Sequence, residues 1–268
     1  MIDQGKHNVL GIDVSAVDYD GAVDRIVEAA RNRQPLAVSA LAVHGVMTGV
    51  SDPEHRYRLN QFDLICPDGQ PVRWALKGLH GVGLADRVYG PRLMLETCEA
   101  AAENGLPIFL FGGSEELLDK LQTELRKKFP ELQIAGRRAS KFRKLDSVEW
   151  EELVEEVNNS GASVLFVGLG CPRQEVFTYE IRDAVSMPTL AVGAAFNFHA
   201  GDLPQAPPRM QRLGLEWLYR LIQEPRRLWR RYLLLNPAYV SLLALQKLGV
   251  YSVQRDNLQP PQNQVLYG

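Results

Sequence analysis

Cysteine is scarce in this 268-residue chain, which has three cysteines and no Cys-x-x-Cys pair. Cys66, Cys98 and Cys171 lie far apart in the sequence, so we expect neither a disulfide framework nor a zinc site. This cysteine usage is typical of proteins that work in a reducing cytoplasm.

Long uncharged apolar runs are also absent from the sequence. The first eight residues are polar and contain no apolar signal core. No uncharged apolar run reaches the roughly 18 residues that a membrane-spanning helix needs. We therefore expect a protein that is soluble or lies on a membrane surface.

Strong net charge is lacking as well, because 30 basic residues face 32 acidic ones and the net charge is −2. The chain as a whole is therefore not expected to bind polyanions. Its charge is uneven, however, since residues 205–232 contain seven arginines and two glutamates. This asymmetry points to a local anionic partner.

A regular alternation of short apolar runs and amphipathic segments extends from Pro107 to Gly193. It predicts an α/β fold with a Rossmann-like parallel sheet flanked by helices. We expect three parts in the chain: an α/β core over residues 1–204, a basic, amphipathic helical appendage that docks on a membrane over 205–255, and a disordered tail over 256–268. The tail is rich in Gln, Pro and Asn, which disfavours a packed structure.

Asp68 lies in a stretch that predicts a strand-to-helix turn. A short apolar run ends at Cys66, Pro67 and Gly69 interrupt it, and Pro71 suits the first turn of a helix. Open α/β sheets bind ligands at such turns. Two interpretations remain open on this pattern alone: the Asp68 carboxylate caps the new helix, or it takes part in chemistry.

Two further turns each follow a predicted strand, contain paired glycines and open a helix. They are Gly112 with Gly113, and Gly168 with Gly170. Glycine lets a ligand approach the backbone, and free amides at a helix start attract phosphate. Neither turn matches the GxGxxG or P-loop pattern, so ordinary tight turns explain each one alone. Two such turns at one edge of a sheet favour a phosphate-bearing ligand.

The second of these turns leads into Pro172-Arg173-Gln174-Glu175. Arg173 and Gln174 at a helix start can bond a phosphate, a sugar or a base edge. Glu175 is interpreted as a charge that complements the helix dipole.

Metal-binding patterns are weak in this sequence. Asp18-Tyr19-Asp20 matches the DxD pattern that holds metal-bound nucleotide sugars, but capping by Asp20 explains it without a metal. His44 and His199 could be polar contacts in a site, although a lone histidine is more often a structural hydrogen bonder. We predict no metal site and no cofactor.

Four arginines near the end of the chain recur at helical spacing and form one stripe on a helix. They are Arg226, Arg227, Arg230 and Arg231. Apolar and aromatic neighbours suit such a helix to anionic lipid or to a pyrophosphate, and the alternative is a solvated face. No nucleic-acid-binding motif accompanies the stripe, so we expect no nucleic acid partner.

From about Val9 to Pro237 the chain resembles the WecG/TagA/CpsF glycosyltransferases of bacterial surface polysaccharide assembly. The matching motifs are Pro67-Asp68-Gly69, Asp86-Arg87-Val88-Tyr89-Gly90, Phe111-Gly112-Gly113, Gly168-Leu169-Gly170-Cys171-Pro172-Arg173-Gln174-Glu175, Gly193-Ala194-Ala195-Phe196-Asn197-Phe198-His199-Ala200-Gly201, Ala206-Pro207-Pro208, Gly214-Leu215-Glu216-Trp217-Leu218-Tyr219-Arg220-Leu221 and Glu224-Pro225-Arg226-Arg227.

The resemblance implies an inverting enzyme that needs no metal. Its donor would be a nucleotide diphosphate sugar, UDP-linked and of N-acetylmannosamine type or a related hexose, and its acceptor a polyprenyl-diphosphate-linked saccharide. Asp68 matches the proposed catalytic base. Expected substrate-binding residues are Ser39, His44, Arg87, Gly112, Gly113, Gly168, Gly170, Arg173, Gln174 and Asn197. Those expected to meet the lipid diphosphate and the anionic membrane surface are Arg220, Arg226, Arg227, Arg230 and Arg231. The resemblance also implies a cytoplasmic protein, peripherally associated with the inner face of the plasma membrane.

The sequence departs from this family at one place. Many members have Thr-x-Asn-Pro after the strand that precedes the aspartate motif, where this chain has Ser39-Ala40-Leu41-Ala42-Val43-His44. We hypothesise that His44 replaces the contact of the missing asparagine. The difference bears on the donor and the acceptor more than on the reaction type.

Two other functions are compatible with parts of the pattern. A nicotinamide-dependent oxidoreductase also uses strand–glycine–helix turns, but the poor GxGxxG match and the lack of a suitably placed ribose-binding acid argue against it. A non-enzymatic scaffold on a membrane surface would give Asp68 no role. The oligomeric state stays open, a homo-oligomer included.

Overall fold

The computed structural model describes residues 1–252, 258 and 260–268, apart from the side chains of Pro208, Arg227 and Arg231. The strands are β1 (Asp3–Val9), β2 (Ile12–Val17), β3 (Leu36–Leu41), β4 (Leu64–Pro67), β5 (Ile108–Phe111), β6 (Ile134–Arg138), β7 (Val164–Val167) and β8 (Pro188–Ala191).

Helices follow most of these strands. They are α1 (Tyr19–Arg31), α2 (Val43–Ser51), α3 (Pro53–Asn60), α4 (Gln70–His80), α5 (Gly90–Glu103), α6 (Glu115–Lys128), α7 (Ser147–Asn159), α8 (Arg173–Ile181) and α9 (Ala195–His199). The C-terminal region contains α10 (Pro208–Arg212), α11 (Glu216–Gln223), α12 (Pro225–Arg230), a π-helical turn (Arg231–Leu235) and α13 (Asn236–Lys247).

The central sheet has six parallel strands in the order β4-β3-β8-β7-β5-β6. All residues of β4, β5, β7 and β8 are buried, as expected for a parallel sheet covered by helices on both faces. The predicted Rossmann-like α/β fold is therefore confirmed. β1 and β2 form a separate antiparallel hairpin, whose Ser15 hydroxyl accepts from the Ile65 amide of β4 at 3.1 Å.

Side chains that alternate along each strand enter different cores. Leu110 and Phe166 pack with α1, α5 and α6 on one face of the sheet. Phe109 and Leu165 pack with α7 and α8 on the other face. This alternation follows from the two-residue period of a strand. Because the strands are parallel, their carboxyl ends lie along one edge of the sheet.

The last helix, α13, is docked on the core rather than free of it. Tyr239 is 1 % exposed and packs with residues of β1, β2, α2 and α4. The Gln246 side chain accepts from the Leu10 amide at 2.9 Å and donates to Asn8 Oδ1 at 3.1 Å. The C-terminal helices are thereby held over the carboxyl edge of the sheet.

The prediction of a disordered tail over 256–268 is wrong for residues 260–268. The Val265 and Leu266 amides donate to the two carboxylate oxygens of Glu180 at 2.6 and 2.9 Å. Tyr267 forms an antiparallel bridge with Lys144, and Gly268 is buried. The prediction fails because it rests on the composition of the tail alone, whereas the tail is held by residues that are distant in the sequence. Residues 256, 257 and 259 lie outside the described part of the chain.

Within the described residues, no helix combines the length and the apolarity that crossing a bilayer requires.

Candidate active site

A cavity of about 990 Å³ lies at the carboxyl edge of the sheet. Its floor is formed by the turns that follow β3, β4, β5, β7 and β8. Its outer wall is formed by the C-terminal helices, which contribute Glu216, Arg220 and Arg230. The prediction that the two glycine turns meet at one edge is confirmed, because β5 and β7 are parallel neighbours. Ile108 pairs with Val164 at the start of these strands, and Phe111 pairs with Val167 at their end.

Asp68 lies on the floor of this cavity, one residue after β4. Its amide donates to the carbonyl oxygens of Cys66 at 2.9 Å and of Leu41 at 3.2 Å, which fixes the turn. Gly69, with φ of 95°, is the N-cap of α4, and no side chain caps that helix. The capping interpretation of Asp68 is therefore wrong, and its carboxylate faces the cavity instead.

The surroundings of Asp68 make its carboxyl group a weak acid. Burial raises the pKa of Asp68 to about 6, against the attraction of Arg87, and the nearby charge of Glu216 raises it further. The amide of Gly90 and the charge of Arg220 oppose this rise. A carboxyl group with this pKa is ionised at neutral pH and still has affinity for a proton, as a general base requires.

Arg87 connects the core to the C-terminal helices across this site. One of its guanidinium nitrogens is 2.5 Å from Glu216 Oε2, and both side chains are nearly buried. The guanidinium also stacks 4.4 Å from the centre of the Tyr89 ring. Arg87 is expected from the sequence, whereas Glu216 and Tyr89 are site residues that sequence reasoning missed. Both stand in the motifs that carry the family resemblance, which is the signal that could have found them.

The two glycine turns contact each other through their backbones. A Cβ on Gly112, whose φ is 118°, would lie 2.8 Å from the Gly168 carbonyl carbon, so only glycine fits there. Gly113, Gly168 and Gly170 line the cavity, whereas Gly112 lies behind this lining. The turns therefore bring bare backbone to the cavity wall, where a ligand can approach closely.

Glu175 is the centre of a buried polar group in the cavity wall, which Gln174 also lines. It is fully buried, and its Oε1 accepts from Gln174 Nε2 at 2.8 Å and from the Ser39 hydroxyl at 3.2 Å. Gln174 in turn accepts from the Gly170 amide at 3.1 Å. Burial raises the pKa of Glu175 and so favours its neutral form. The raised pKa weakens the dipole-complementing charge predicted for Glu175.

A sequence model of the family described as "Glycosyl transferase WecG/TagA/CpsF family" matches residues 7–252 of the chain. The chain belongs to the WecG/TagA/CpsF glycosyltransferase family. It is thus a glycosyltransferase of the kind that serves cell-envelope polysaccharide synthesis, and the suspected family is confirmed. The family in general uses a nucleotide sugar donor and a lipid-linked acceptor. Neither the oxidoreductase nor the scaffold alternative agrees with this membership.

In this WecG/TagA/CpsF protein the remaining predicted substrate-binding residues divide into two groups. His44 and Asn197 line the cavity. Ser39 is fully buried under the floor and reaches it only through Glu175. Arg173 is exposed outside the cavity, with its guanidinium 5.8 Å from the centre of the Tyr267 ring.

The predicted arginine set of the WecG/TagA/CpsF appendage is divided in the same way. Arg220 and Arg230 line the cavity, and Arg220 stacks 5.6 Å from the centre of the Phe198 ring. Arg226 is exposed and does not line it. The side chains of Arg227 and Arg231 lie outside the description. The stripe therefore faces both the cavity and the outer surface.

The DxD pattern has a structural explanation. Asp18 caps α1 by accepting from the Gly21 amide at 2.9 Å, so the capping residue is Asp18 and not Asp20 as predicted. Over the described part of the chain, no three His, Cys, Asp or Glu side chains are grouped in a way that could hold a metal ion.

Proposed function

We propose that this protein is an inverting glycosyltransferase in which Asp68 is the general base. The observation that carries the proposal is the Asp68 carboxylate on the cavity floor, uncommitted to helix capping and with a pKa raised to about 6. The donor we propose is a UDP-linked hexose of N-acetylmannosamine type or a close relative. The acceptor we propose is a polyprenyl-diphosphate-linked saccharide, and the transfer needs no metal.

The chemistry requires one carboxylate in this position. Asp68 takes the proton of the acceptor hydroxyl as its oxygen attacks the anomeric carbon, which has oxocarbenium character in the transition state. Attack comes from the face opposite the leaving diphosphate, so the configuration at the anomeric carbon is inverted. The glycosidic bond forms as the bond to the phosphate oxygen breaks.

The leaving nucleoside diphosphate gains negative charge, which the cavity can stabilise. Arg87 and Arg220 line it, and α8 starts at its wall with Glu175 favoured in its neutral form. Helix-start dipoles and fixed guanidinium groups stabilise developing charge without having to reorganise. This arrangement supports departure of the diphosphate without a bound cation.

We further propose that the enzyme works at the inner face of the plasma membrane, where the C-terminal helices meet the lipid. Of fourteen large apolar side chains that are exposed among the described residues, ten lie between Leu213 and Val250. Arg226 and Arg230 are exposed in the same region. Apolar side chains next to basic ones suit a helix that lies in an anionic lipid interface.

Replacement of Asp68 by Asn tests the base directly. Asp68→Asn should lower kcat by roughly 10²–10⁴-fold, the range of a lost general base, while UDP binds with nearly unchanged affinity. In the wild type, kcat/KM should fall as the pH drops below about 6, where Asp68 becomes protonated. Transfer would be measured with a nucleotide sugar and a lipid-linked acceptor, and UDP binding by calorimetry.

The exposed Asp24 on α1 provides the matched control for this experiment. Asp24→Asn should leave both transfer and UDP binding as in the wild type. Substantial turnover by Asp68→Asn would remove Asp68 as the base.

A further inference from the structure

Phe142 has an unusual position for a large aromatic residue. It belongs to the loop of residues 139–146, which follows β6 at the same edge of the sheet as the cavity. Its side chain is 63 % exposed and lines the cavity together with Gly113 and Ser114. Its φ is 55°, a left-handed conformation that is strained for a bulky side chain. Such strain persists only where the surrounding structure imposes it.

The segment of residues 260–268, called the strap below, imposes this conformation. The Leu145 amide donates to the Leu266 carbonyl at 2.7 Å, and the Gly268 amide donates to the Arg143 carbonyl at 3.0 Å. The Ser140 hydroxyl donates to the Gly268 carbonyl at 2.7 Å and accepts from the Phe142 amide at 2.9 Å. Ser140 therefore joins the strap directly to the residue whose backbone is strained.

The strap is itself held on the opposite side by α8. Both carboxylate oxygens of Glu180 accept strap amides, and Tyr267 lies under Arg173. A Cβ on Gly268 would come within 2.3 Å of Leu145, so the strap has little room to shift against the loop. Leu266 also has a left-handed φ, of 52°. Exposed ion pairs from Lys141 and Arg143 to Glu149 support the other side of the loop, but such pairs contribute little.

The loop is also joined to the glycine turn after β5, because the Ser140 amide donates to the Gly113 carbonyl at 2.9 Å. Asp68 Oδ2 lies near Gly90, which itself abuts the carbonyl of Val192 just after β8. From β8 to β6 the sheet has three strand spacings, roughly 14 Å. A sugar beside Asp68, a diphosphate along the glycine turns and a nucleoside beside Phe142 can lie in line along this edge.

We propose that the strap positions Phe142 as a stacking surface for the nucleobase of the donor. The strap lies beyond residue 252, where the match to the family model ends, so it does not follow from family membership. The inference rests on the proposed function, since it needs a nucleotide sugar as the donor. Phe142 binds the base through its ring face, and Ser140 and Glu180 act through Phe142 as positioning residues.

Binding of UDP and of inorganic pyrophosphate, measured by calorimetry, tests the stacking. Phe142→Ala should weaken UDP binding roughly 5- to 100-fold, the equivalent of one aromatic–base stack, and leave pyrophosphate binding unchanged. Phe142→Tyr should restore UDP binding to near the wild-type value. Val148→Ala, which removes another exposed apolar side chain near the loop but off the cavity, should bind both probes as the wild type does.

The strap is tested in the full-length chain by Glu180→Ala, which removes the acceptor of two strap amides, and by Ser140→Ala. Each should weaken UDP binding and raise KM for the nucleotide sugar while kcat and pyrophosphate binding stay unchanged. Combined with Phe142→Ala, neither should add a further loss, because all three act through one ring.

Three outcomes would overturn the inference in distinguishable ways. Unchanged UDP binding by Phe142→Ala removes the stacking role while the proposed function stands. A loss in Phe142→Ala without one in the strap variants removes the role of the strap. A wild-type protein that binds pyrophosphate but no nucleoside diphosphate, tested with UDP and GDP, overturns the proposed donor and this inference with it.

Discussion

The raised pKa of Asp68 has a cost in stability. In the folded protein its pKa is raised to about 6 by burial, from an ordinary value of 3.8. The folded state therefore holds this proton more tightly than the unfolded state does. By linkage, stability falls as the pH rises from about 4 to about 6 and stays lower above that range. The raised pKa that suits Asp68 to the proposed role of base is thus also a source of destabilisation at neutral pH.

Asp68→Asn should consequently stabilise the protein at pH 8 and have little effect at pH 4. The expected gain at pH 8 is about 2 kcal/mol, given by the size of the pKa shift with some allowance for partial solvent access. Chemical denaturation at the two pH values would measure it, with Asp24→Asn as the exposed control. A gain that is equal at both pH values would contradict the pKa assigned to Asp68.

Single site residues can be predicted from the sequence only where a local pattern marks them. Pro67, Gly69 and Pro71 mark the turn around Asp68, whereas only the family resemblance implies a role as base. The capping interpretation fails because Gly69 takes the capping position, a backbone choice that the pattern does not decide. Glu216 lies 129 residues from its partner Arg87, and no local pattern relates two residues at such a distance.

Among the helices and strands, too, features set by local pattern are predictable and features set by distant contacts are not. The alternation of strands and helices is confirmed because apolar periodicity is a local property. The short helix α9 (Ala195–His199) lies in a stretch without a clear apolar period, so the sequence pattern does not indicate it. Pro225 is the first residue of α12, a position where proline is tolerated. The order of strands in the sheet and the docking of 260–268 depend on distant contacts, so the sequence alone does not predict them.

At the level of elements, the ion pair between Arg87 and Glu216 of α11 couples the C-terminal helices to Asp68. Glu216 raises the pKa of Asp68. Glu216→Gln should therefore lower that pKa and move the acid limb of the kcat/KM profile to lower pH, because the like charge is removed. It should also remove the negative charge that neutralises Arg87, so that the guanidinium charge attracts a diphosphate more strongly. Pyrophosphate should then bind more tightly.

The pH profile and pyrophosphate affinity of Glu216→Gln would be compared with those of Glu96→Gln, which alters a surface pair on α5. An acid limb that does not move in Glu216→Gln would show that Glu216 has no electrostatic influence on Asp68. Gln keeps hydrogen-bonding capacity towards Arg87, which limits the penalty of breaking a buried ion pair.

Over the whole molecule, charge and exposed apolar surface coincide at the C-terminal helices. Replacing Arg226, Arg227, Arg230 and Arg231 by Ala should weaken binding to anionic vesicles. At about 1 kcal/mol for each arginine near the lipid surface, the loss would reach roughly three orders of magnitude. Transfer to a lipid-linked acceptor should fall with it. Vesicle co-sedimentation at low and high salt would measure the binding.

A second basic cluster at the end of α6, formed by Arg126, Lys127 and Lys128, serves as the control for this prediction. Its replacement by Ala should change vesicle binding little. Equal losses from the two clusters would indicate that net charge, and not the position of the C-terminal stripe, governs the association.

The position of β8 in the sheet has a consequence for the nascent chain. β8 pairs with β3 on one side and β7 on the other, although it is the last of the sheet strands to be synthesised. The β3–β4 pair and the β5–β6–β7 group each keep an unpaired edge until β8 emerges from the ribosome. About 150 residues separate the ends of β3 and β8, which takes roughly 8–30 s to translate. During that interval the half-formed sheet exposes unpaired strand edges, which favour pairing with other chains and aggregation.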